Sequence, residues 1–410
     1  MSKPNLPIFY DGKDYWLKIG ECFRKMGWSD LKMHLEVRGI DDFDHSSARI
    51  LCKLDAIRFW VQTEKFCDFA GPLAGHKPGD FTTPDGKRIL VTSGSKMPEP
   101  VKGDPETFEK FAAELLPDGQ LSHFLYWLKV RAESLEAGDF RASQLCAMAG
   151  ESGCGKSLMQ DLITEFFGGR VGKPIRYMTG QTPFNEDLAE SEHWLMSDEK
   201  GLSSDIRARR EFGEALKEAL VVREMSVHPK GRKAITLPTW RSVTLTINDE
   251  PENLAKLPPL DDSILDKMFL FKCAKATIGS DRIKVWRKLK SDLPAVRWQL
   301  QKMVIPKDRQ CPRYKVKSWQ NPEIVQILKD QSPEERLLGL IDEVLDFPWT
   351  GTAVSLQSEL MQSKYAFAAD KLMKGSSACG TYLARLKIQH PKRFAYERTE
   401  TKRQWTITAP

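Results

Sequence analysis

From Leu145 the chain runs Leu-Cys-Ala-Met-Ala, an unbroken apolar stretch. From Ser157 its apolar positions shift to helical spacing at Leu158, Met159, Leu162, Ile163 and Phe166. The first pattern predicts a short buried strand and the second a helix with one apolar side. Further apolar runs at 194–196, 241–248 and 268–273 read as more strands, and the highly charged 207–224, with apolar residues at helical intervals, reads as a solvated helix. Ahead of this block, Ile8-Phe9-Tyr10, the Asp11-Gly12-Lys13 turn and Tyr15-Trp16-Leu17 predict a hairpin. Residues 48–62 have helical periodicity, and 88–92 predict a strand after a glycine- and proline-rich stretch. Met97-Pro98-Glu99-Pro100 marks a boundary, beyond which 106–116 and 121–135 read as helices. Near the carboxyl end, 333–347, 355–361 and 377–389 predict helices, and 394–398 with 403–407 predict two strands paired across 399–402.

Between the first strand and helix of the central block lies Gly150-Glu151-Ser152-Gly153-Cys154-Gly155-Lys156-Ser157, the full eight-residue phosphate-binding pattern in its required strand-to-helix setting. Glycines let the backbone curl so that successive N–H groups face phosphates, with the positive end of the helix behind them. Lys156 supplies a mobile charge to the outer phosphates, and the Ser157 hydroxyl completes a magnesium shell. This predicts ATP and Mg2+ as cofactors. In Ser197-Asp198-Glu199, which ends the 194–196 run, Asp198 fits the magnesium side and Glu199 fits the polarisation of attacking water. Asn248, at the end of 241–248, has two readings: a hydrogen bond to the attacking water or outer phosphate, or a cap on a strand end. His228-Pro229-Lys230-Gly231-Arg232-Lys233 places a basic tip between two strand-like arms, suited to phosphate contact or to solvent alone.

A chain of 410 residues, 41% hydrophobic and 29% charged, has the composition of a globular protein with more than one domain. Its formal charge of +6 is modest, so local distribution matters more. From 280 to 317 there are twelve Lys/Arg against three Asp/Glu, with Trp286, Trp298 and Tyr314 interleaved, and 377–410 holds seven against two. Both stretches suit nucleic acid. The eight cysteines are scattered without a CxxC pair, which points to reduced thiols and away from a zinc site. No apolar run approaches membrane-spanning length and the first residues lack a signal-peptide core, so the expectation is a cytoplasmic protein with no membrane partner.

In the order phosphate loop (150–157), acidic pair (Asp198-Glu199), basic hairpin (Lys230, Arg232, Lys233) and sensor strand (239–248), the chain resembles the superfamily 3 helicases, particularly the helicase portion of phage and plasmid primase-helicase proteins. The likeness is strongest over 140–275. It implies an α/β fold with a P-loop AAA+-like ATPase core, assembled as a homo-oligomeric ring, usually a hexamer, with ATP between subunits. Hairpins would draw single-stranded or forked DNA through the centre, Lys233 being the chief contact. It also implies a DNA helicase or translocase in replication of a phage, plasmid or other mobile element, with a separate primase or polymerase as a possible partner. The family offers arginines after the sensor strand that reach a neighbour's phosphates. Here Lys267 stands in that region, with Arg241 or the Arg207-Arg209-Arg210 group as substitutes. Other classes remain open: a DNA-loading or assembly ATPase without unwinding, and a nucleotide-dependent DNA-binding protein with weak or no hydrolysis, a role in host defence included.

The expected layout is a small α+β domain over 1–100, a helical linker or collar over 101–139, the ATPase core over 140–276, a basic helical extension over 277–329 and a winged-helix domain over 330–410. In the last, Arg385, Lys387, Lys392 and Arg393 are candidate phosphate contacts.

Overall fold

The structure is a computed structural model that describes residues 6–40, 53–197, 201–230, 233–277, 279, 281–373, 375, 377–398 and 403–410. The amino-terminal strands β1 (Ile8–Tyr10), β2 (Tyr15–Ile19) and β3 (Cys22–Met26) form an antiparallel sheet, followed by α1 (Trp28–Val37) and α2 (Lys53–Glu64). Ile8, Tyr15, Leu17, Leu31, Leu35, Leu54, Ile57 and Val61 make a core of their own. The hairpin of β1 and β2 is the one that the sequence pattern predicts, while β3, with the exposed alternation Cys-Phe-Arg-Lys-Met, carries no apolar stripe to announce it.

Next come β4 (Phe69–Gly71), β5 (Gly79–Thr82) and β6 (Arg88–Val91), which form a second small sheet. Phe69, Leu73, Ile89 and Val91 belong to the core of the following region and not to that of residues 8–64. The two small sheets nonetheless touch: Phe9, Cys67, Ala70 and Leu90 form a further buried cluster, and Cys67 N–H donates to the Tyr10 carbonyl at 2.7 Å. The 97–100 segment is no free linker either: the Pro98 carbonyl accepts from the Arg297 guanidinium, and Val101 N–H donates to Pro294 at 3.1 Å.

The helices α3 (Glu106–Leu115) and α4 (Gln120–Glu136) precede a five-stranded, all-parallel sheet. Its strands and connections are β7 (Leu145–Gly150), α5 (Lys156–Phe166), β8 (Val171–Gly172), α6 (Ile175–Met178), α7 (Glu186–Ala189), β9 (His193–Ser197), α8 (Ile206–Val221), β10 (Glu224–Val227), β11 (Ile235–Pro238), β12 (Ser242–Ile247), α9 (Pro251–Leu254), α10 (Asp262–Leu265) and β13 (Met268–Cys273). The sheet order is β13-β7-β12-β9-β8, and β10 with β11 stands apart as an antiparallel hairpin. Alternation along each strand explains two buried faces. Cys146 and Met148 of β7 and Phe269 and Phe271 of β13 enter one core, whereas Leu145, Ala147 and Ala149 with Met268 and Leu270 enter the other.

The first of these cores is closed by α3, α4 and the 21-residue α11 (Arg282–Lys302), through Phe111, Trp127, Leu289, Leu293 and Val296. The expected collar and basic extension are thus packed parts of the sheet domain. After α12 (Pro322–Asp330), whose Ile324 and Leu328 complete the second core, a break at Ser332 starts α13 (Pro333–Val344). β14 (Trp349–Gly351), α14 (Ala353–Gln362), α15 (Ala366–Leu372), α16 (Ala378–Gln389), β15 (Phe394–Arg398) and β16 (Arg403–Ile407) follow, with sheet order β14-β16-β15 and a separate core that includes Leu337, Leu356, Leu383, Phe394 and Ile407. The predicted turn at 399–402 lies outside the described residues. No helix among the described residues is long and apolar enough to cross a membrane.

Candidate nucleotide site

The phosphate-binding octad connects the carboxyl end of β7 to the start of α5. Gly153 and Gly155 have φ of +78° and +122°, which side chains disfavour. A Cβ on Gly150 would lie 2.6 Å from the Cys273 carbonyl oxygen of β13, so this glycine is required by close backbone approach. Around the loop is a cavity of about 870 Å³, lined among others by Ser152, Gly153, Gly155, Lys156, Ser157, Ser197, Thr246 and Asn248. The Lys156 ammonium donates to the carbonyls of Gly150 at 2.6 Å and Glu151 at 2.7 Å, and lies 3.4 Å from Asn248 Oδ1. Lys156, Ser157 and Asn248, 91 residues apart in chain between the last two, are brought to one place by the pairing of β7 with β12.

Beneath this surface a buried polar network holds the loop helix against the neighbouring strands. Gln160 of α5 donates to the Met196 carbonyl at 2.9 Å and to Thr244 Oγ1 at 2.8 Å, and accepts from Thr246 Oγ1 at 3.1 Å. The fully buried His193 bridges Thr164 of α5 at 2.7 Å and Thr244 of β12 at 2.8 Å, and burial lowers its pKa to about 3, keeping the ring neutral. Thr164 donates to the Gln160 carbonyl at 3.1 Å, so its oxygen accepts from His193 Nδ1, and the other ring nitrogen accepts from Thr244. The face of β12 turned to α5 is accordingly Ser242, Thr244 and Thr246, while Val243, Leu245 and Ile247 enter the apolar core. Asp161, on the cavity wall, has its carboxyl pKa raised by burial and by Glu165.

Asp198 and Glu199 lie outside the described residues, as does Arg232. Ser197, immediately before the acidic pair, lines the cavity. Among the described residues no group of three His, Cys, Asp or Glu side chains could hold a metal ion. Ser157 contributes one hydroxyl at a cavity wall, which suits a hydrated magnesium borne largely by phosphates and one carboxylate.

Lys267 departs from the role expected of it. It precedes β13 at the opposite end of the strand from the loop, its side chain is 10% exposed, and its ammonium is held by the Ser263 carbonyl and Asp266, each at 2.7 Å. Two of its named substitutes are also engaged: Arg241 donates to the Ala219 and Val222 carbonyls, and Arg209 to the Leu257 carbonyl at 2.7 Å. Arg207 and Arg210 remain exposed.

The predicted basic hairpin exists. Val227 pairs with Ile235, and the buried Asn185 pins one arm by accepting from His228 N–H at 2.7 Å and donating to the Ser226 carbonyl at 2.9 Å. Lys230 and Lys233 are exposed near its end. In the carboxyl-terminal region two of the four expected phosphate contacts are already paired with carboxylates. Arg385 is paired with Glu334, and Arg393 with Asp342 at 2.5 Å. Lys387 and Lys392 stay exposed, the former 5.7 Å from the Tyr396 ring centroid.

No protein-family model matches this sequence, and no curated protein matches it. Solved structures do. The apo structure of the NrS-1 C-terminal region (305–718) aligns with a TM-score of 0.59 at 13% identity, covering 98% of this chain and 96% of that one. A second apo form of that region gives 0.57 at 14% identity, over 98% and 96% of the two chains. The chain shares the fold of that region. At such low identity the likeness concerns fold alone, and each site residue stands on its own geometry. Sequence patterning missed Lys275 and Arg282, which line the same cavity from the segment after β13 and from the start of α11. They belong to no motif; Arg282 falls within the positively charged stretch 280–317, whereas Lys275 lies just ahead of it and carried no signal.

Proposed function

We propose that the protein is an ATP-driven DNA helicase or translocase with an AAA+-like P-loop core, working in replication of a phage, plasmid or other mobile element. The observation that carries the reading is the meeting of Lys156, Ser157 and Asn248 in one cavity at the carboxyl edge of a parallel sheet. Backbone amides of the loop would cradle the phosphates, and Lys156 would exchange its carbonyl partners for phosphate oxygens. Ser157 and Asp198 would hold magnesium, which supplies charge neutralisation and polarises the terminal phosphate. Glu199 accepts the proton of the attacking water as its oxygen bonds to the terminal phosphorus and the bond to the bridging oxygen breaks, giving ADP and phosphate. Asn248 orients that water or the departing phosphate.

In this reading copies of the chain form a ring, with six subunits the expected number, and Lys230, Arg232 and Lys233 track one DNA strand. The carboxyl-terminal region acts as a winged helix, its helix–strand–three helices–hairpin order and β14-β16-β15 sheet supporting that comparison. The test is strand separation on forked DNA with wild type and Lys156→Ala. Unwinding by wild type that falls at least about 100-fold in the variant is expected. Equal activity of the two sinks the proposal, whereas DNA-stimulated hydrolysis without strand separation favours a loading or assembly ATPase.

A further inference from the structure

The cavity has a second cationic wall. Sheet order sets β13 on one side of β7, and β12 with β9 on the other, so the segments leaving these strands approach the phosphate loop from opposite sides. Ser197, Ile247 and Asn248 come from the β12–β9 side, and Lys275, Ala276, Arg282 and Val285 from the β13–α11 side.

This second wall is anchored independently of any ligand. Ala276 N–H donates to the Cys154 carbonyl of the loop at 3.1 Å, Ala274 N–H donates to Leu115 at 3.0 Å, and Val285 packs on the core that holds Leu289 and Leu293. Lys275 and Arg282 are exposed and have no carboxylate partner among the described residues. The nearest acid in sequence, Asp281, accepts the Lys284 N–H at 2.9 Å as the cap of α11, while Lys290 on the same helix does find a partner, Glu165 at 2.8 Å. Two unpaired cations held on fixed backbone around a cavity that already contains Lys156 create a strongly positive field, which an anion between them relieves.

We infer that Lys275 and Arg282 grip the α-phosphate and nucleoside end of the nucleotide from within the same subunit, on the side of the loop away from Asn248. The inference rests on the cavity being an ATP site. The hydrolytic groups fix the polarity: the Lys156 ammonium reaches toward Asn248, and the acidic pair follows Ser197, so the terminal phosphate belongs on the β12–β9 side. A phosphate chain laid across the loop then leaves its α-phosphate toward β13 and α11, where Leu158, Ala276 and Val285 add apolar surface to the cavity wall. The two cations meet groups that ATP and ADP share, so they strengthen binding of both, and their loss falls on KM.

The experiment measures affinity of the full chain for MgATP and MgADP in wild type, Lys156→Ala and the double variant Lys275→Ala/Arg282→Ala, with thermal melting in the absence of nucleotide to check the fold. The double variant is expected to lose at least about tenfold in affinity for both nucleotides by a similar factor, with the steady-state loss appearing in KM. Lys275→Arg/Arg282→Lys should recover most of it, and Arg282→Gln alone, which keeps the start of α11, should show the same pattern at smaller size. A loss confined to ATP would move the pair to the terminal phosphate and overturn the inference, as would unchanged affinity for both. A wild-type protein that binds neither nucleotide brings down the ATP reading and the inference with it, an outcome distinct from tight wild-type binding that the double variant retains.

Discussion

A methyl group at Gly150 would meet a backbone oxygen of the neighbouring strand at 2.6 Å, whereas one at Gly153 would find nothing within 4 Å and only an unfavourable φ of +78°. The two substitutions therefore fail for different reasons. Gly150→Ala must push β7 and β13 apart, an overpacking effect of about 1–3 kcal/mol, while Gly153→Ala bears a left-handed strain of roughly 1 kcal/mol. Thermal melting should rank Gly150→Ala below Gly153→Ala, and the reverse order would mean that the loop does not sit against Cys273. At this scale the octad was legible because its chemistry is local: spacing alone puts Lys156 and Ser157 at the helix start. Lys267, Arg385 and Arg393 were not, because a cation's availability depends on who holds it. Glu334 and Asp342 lie 51 residues before the arginines that they bind, a distance over which sequence carries no sign of pairing.

The strands and long helices of the central sheet were readable from periodicity, and apart from the ten-residue α1 most of the elements that were missed are short or polar. β14 has three residues, α6, α7 and α9 have four each, and β3 shows no apolar alternation. Such pieces acquire their form from what they pack against. The same applies to the polar side of β12, whose Thr244 and Thr246 are explained only by Gln160 and His193 across from them. That network makes a pH prediction. His193 binds a proton in the unfolded chain near pH 6.5 but not in the folded one until about pH 3. Between these values the unfolded state holds more protons, so stability is full above about 6.5 and falls as pH drops, by up to about 1.4 kcal/mol per unit from this residue. Melting curves from pH 7.5 to 5 should slope more steeply for wild type than for His193→Gln, which starts less stable but lacks the titration. Parallel slopes would show that the ring is protonated or exposed in the folded protein.

Across the whole molecule, hydrophobic clusters and not composition shifts decide what folds with what. Proline-rich 97–100 looked like a boundary, yet Ser95 donates to the Phe167 carbonyl at 2.8 Å and the segment is stitched to α11, so residues from about 69 to 330 share the two cores around the sheet. The true seam is at Ser332. Ile324 and Leu328 of α12 face the sheet, whereas every apolar residue of the last core comes from 337 onward. A chain ending at Gln331 should consequently keep both sheet cores and bind MgATP as the full chain does. It should lose the DNA contribution of Lys387 and Lys392, and its affinity should depend less steeply on salt, the slope shrinking by roughly one and a half to two for two phosphate contacts. Arg385→Ala in the full chain should act otherwise. Its partner Glu334 has a side chain only 8% exposed, so the substitution strands a carboxylate between α13 and α16 and lowers melting temperature. Because Arg385 is already neutralised, the salt slope should hardly move. Loss of nucleotide binding by a folded 1–331 chain would place the seam elsewhere, and an Arg385→Ala slope reduced by a full contact would mean that the Glu334 pair opens to admit DNA.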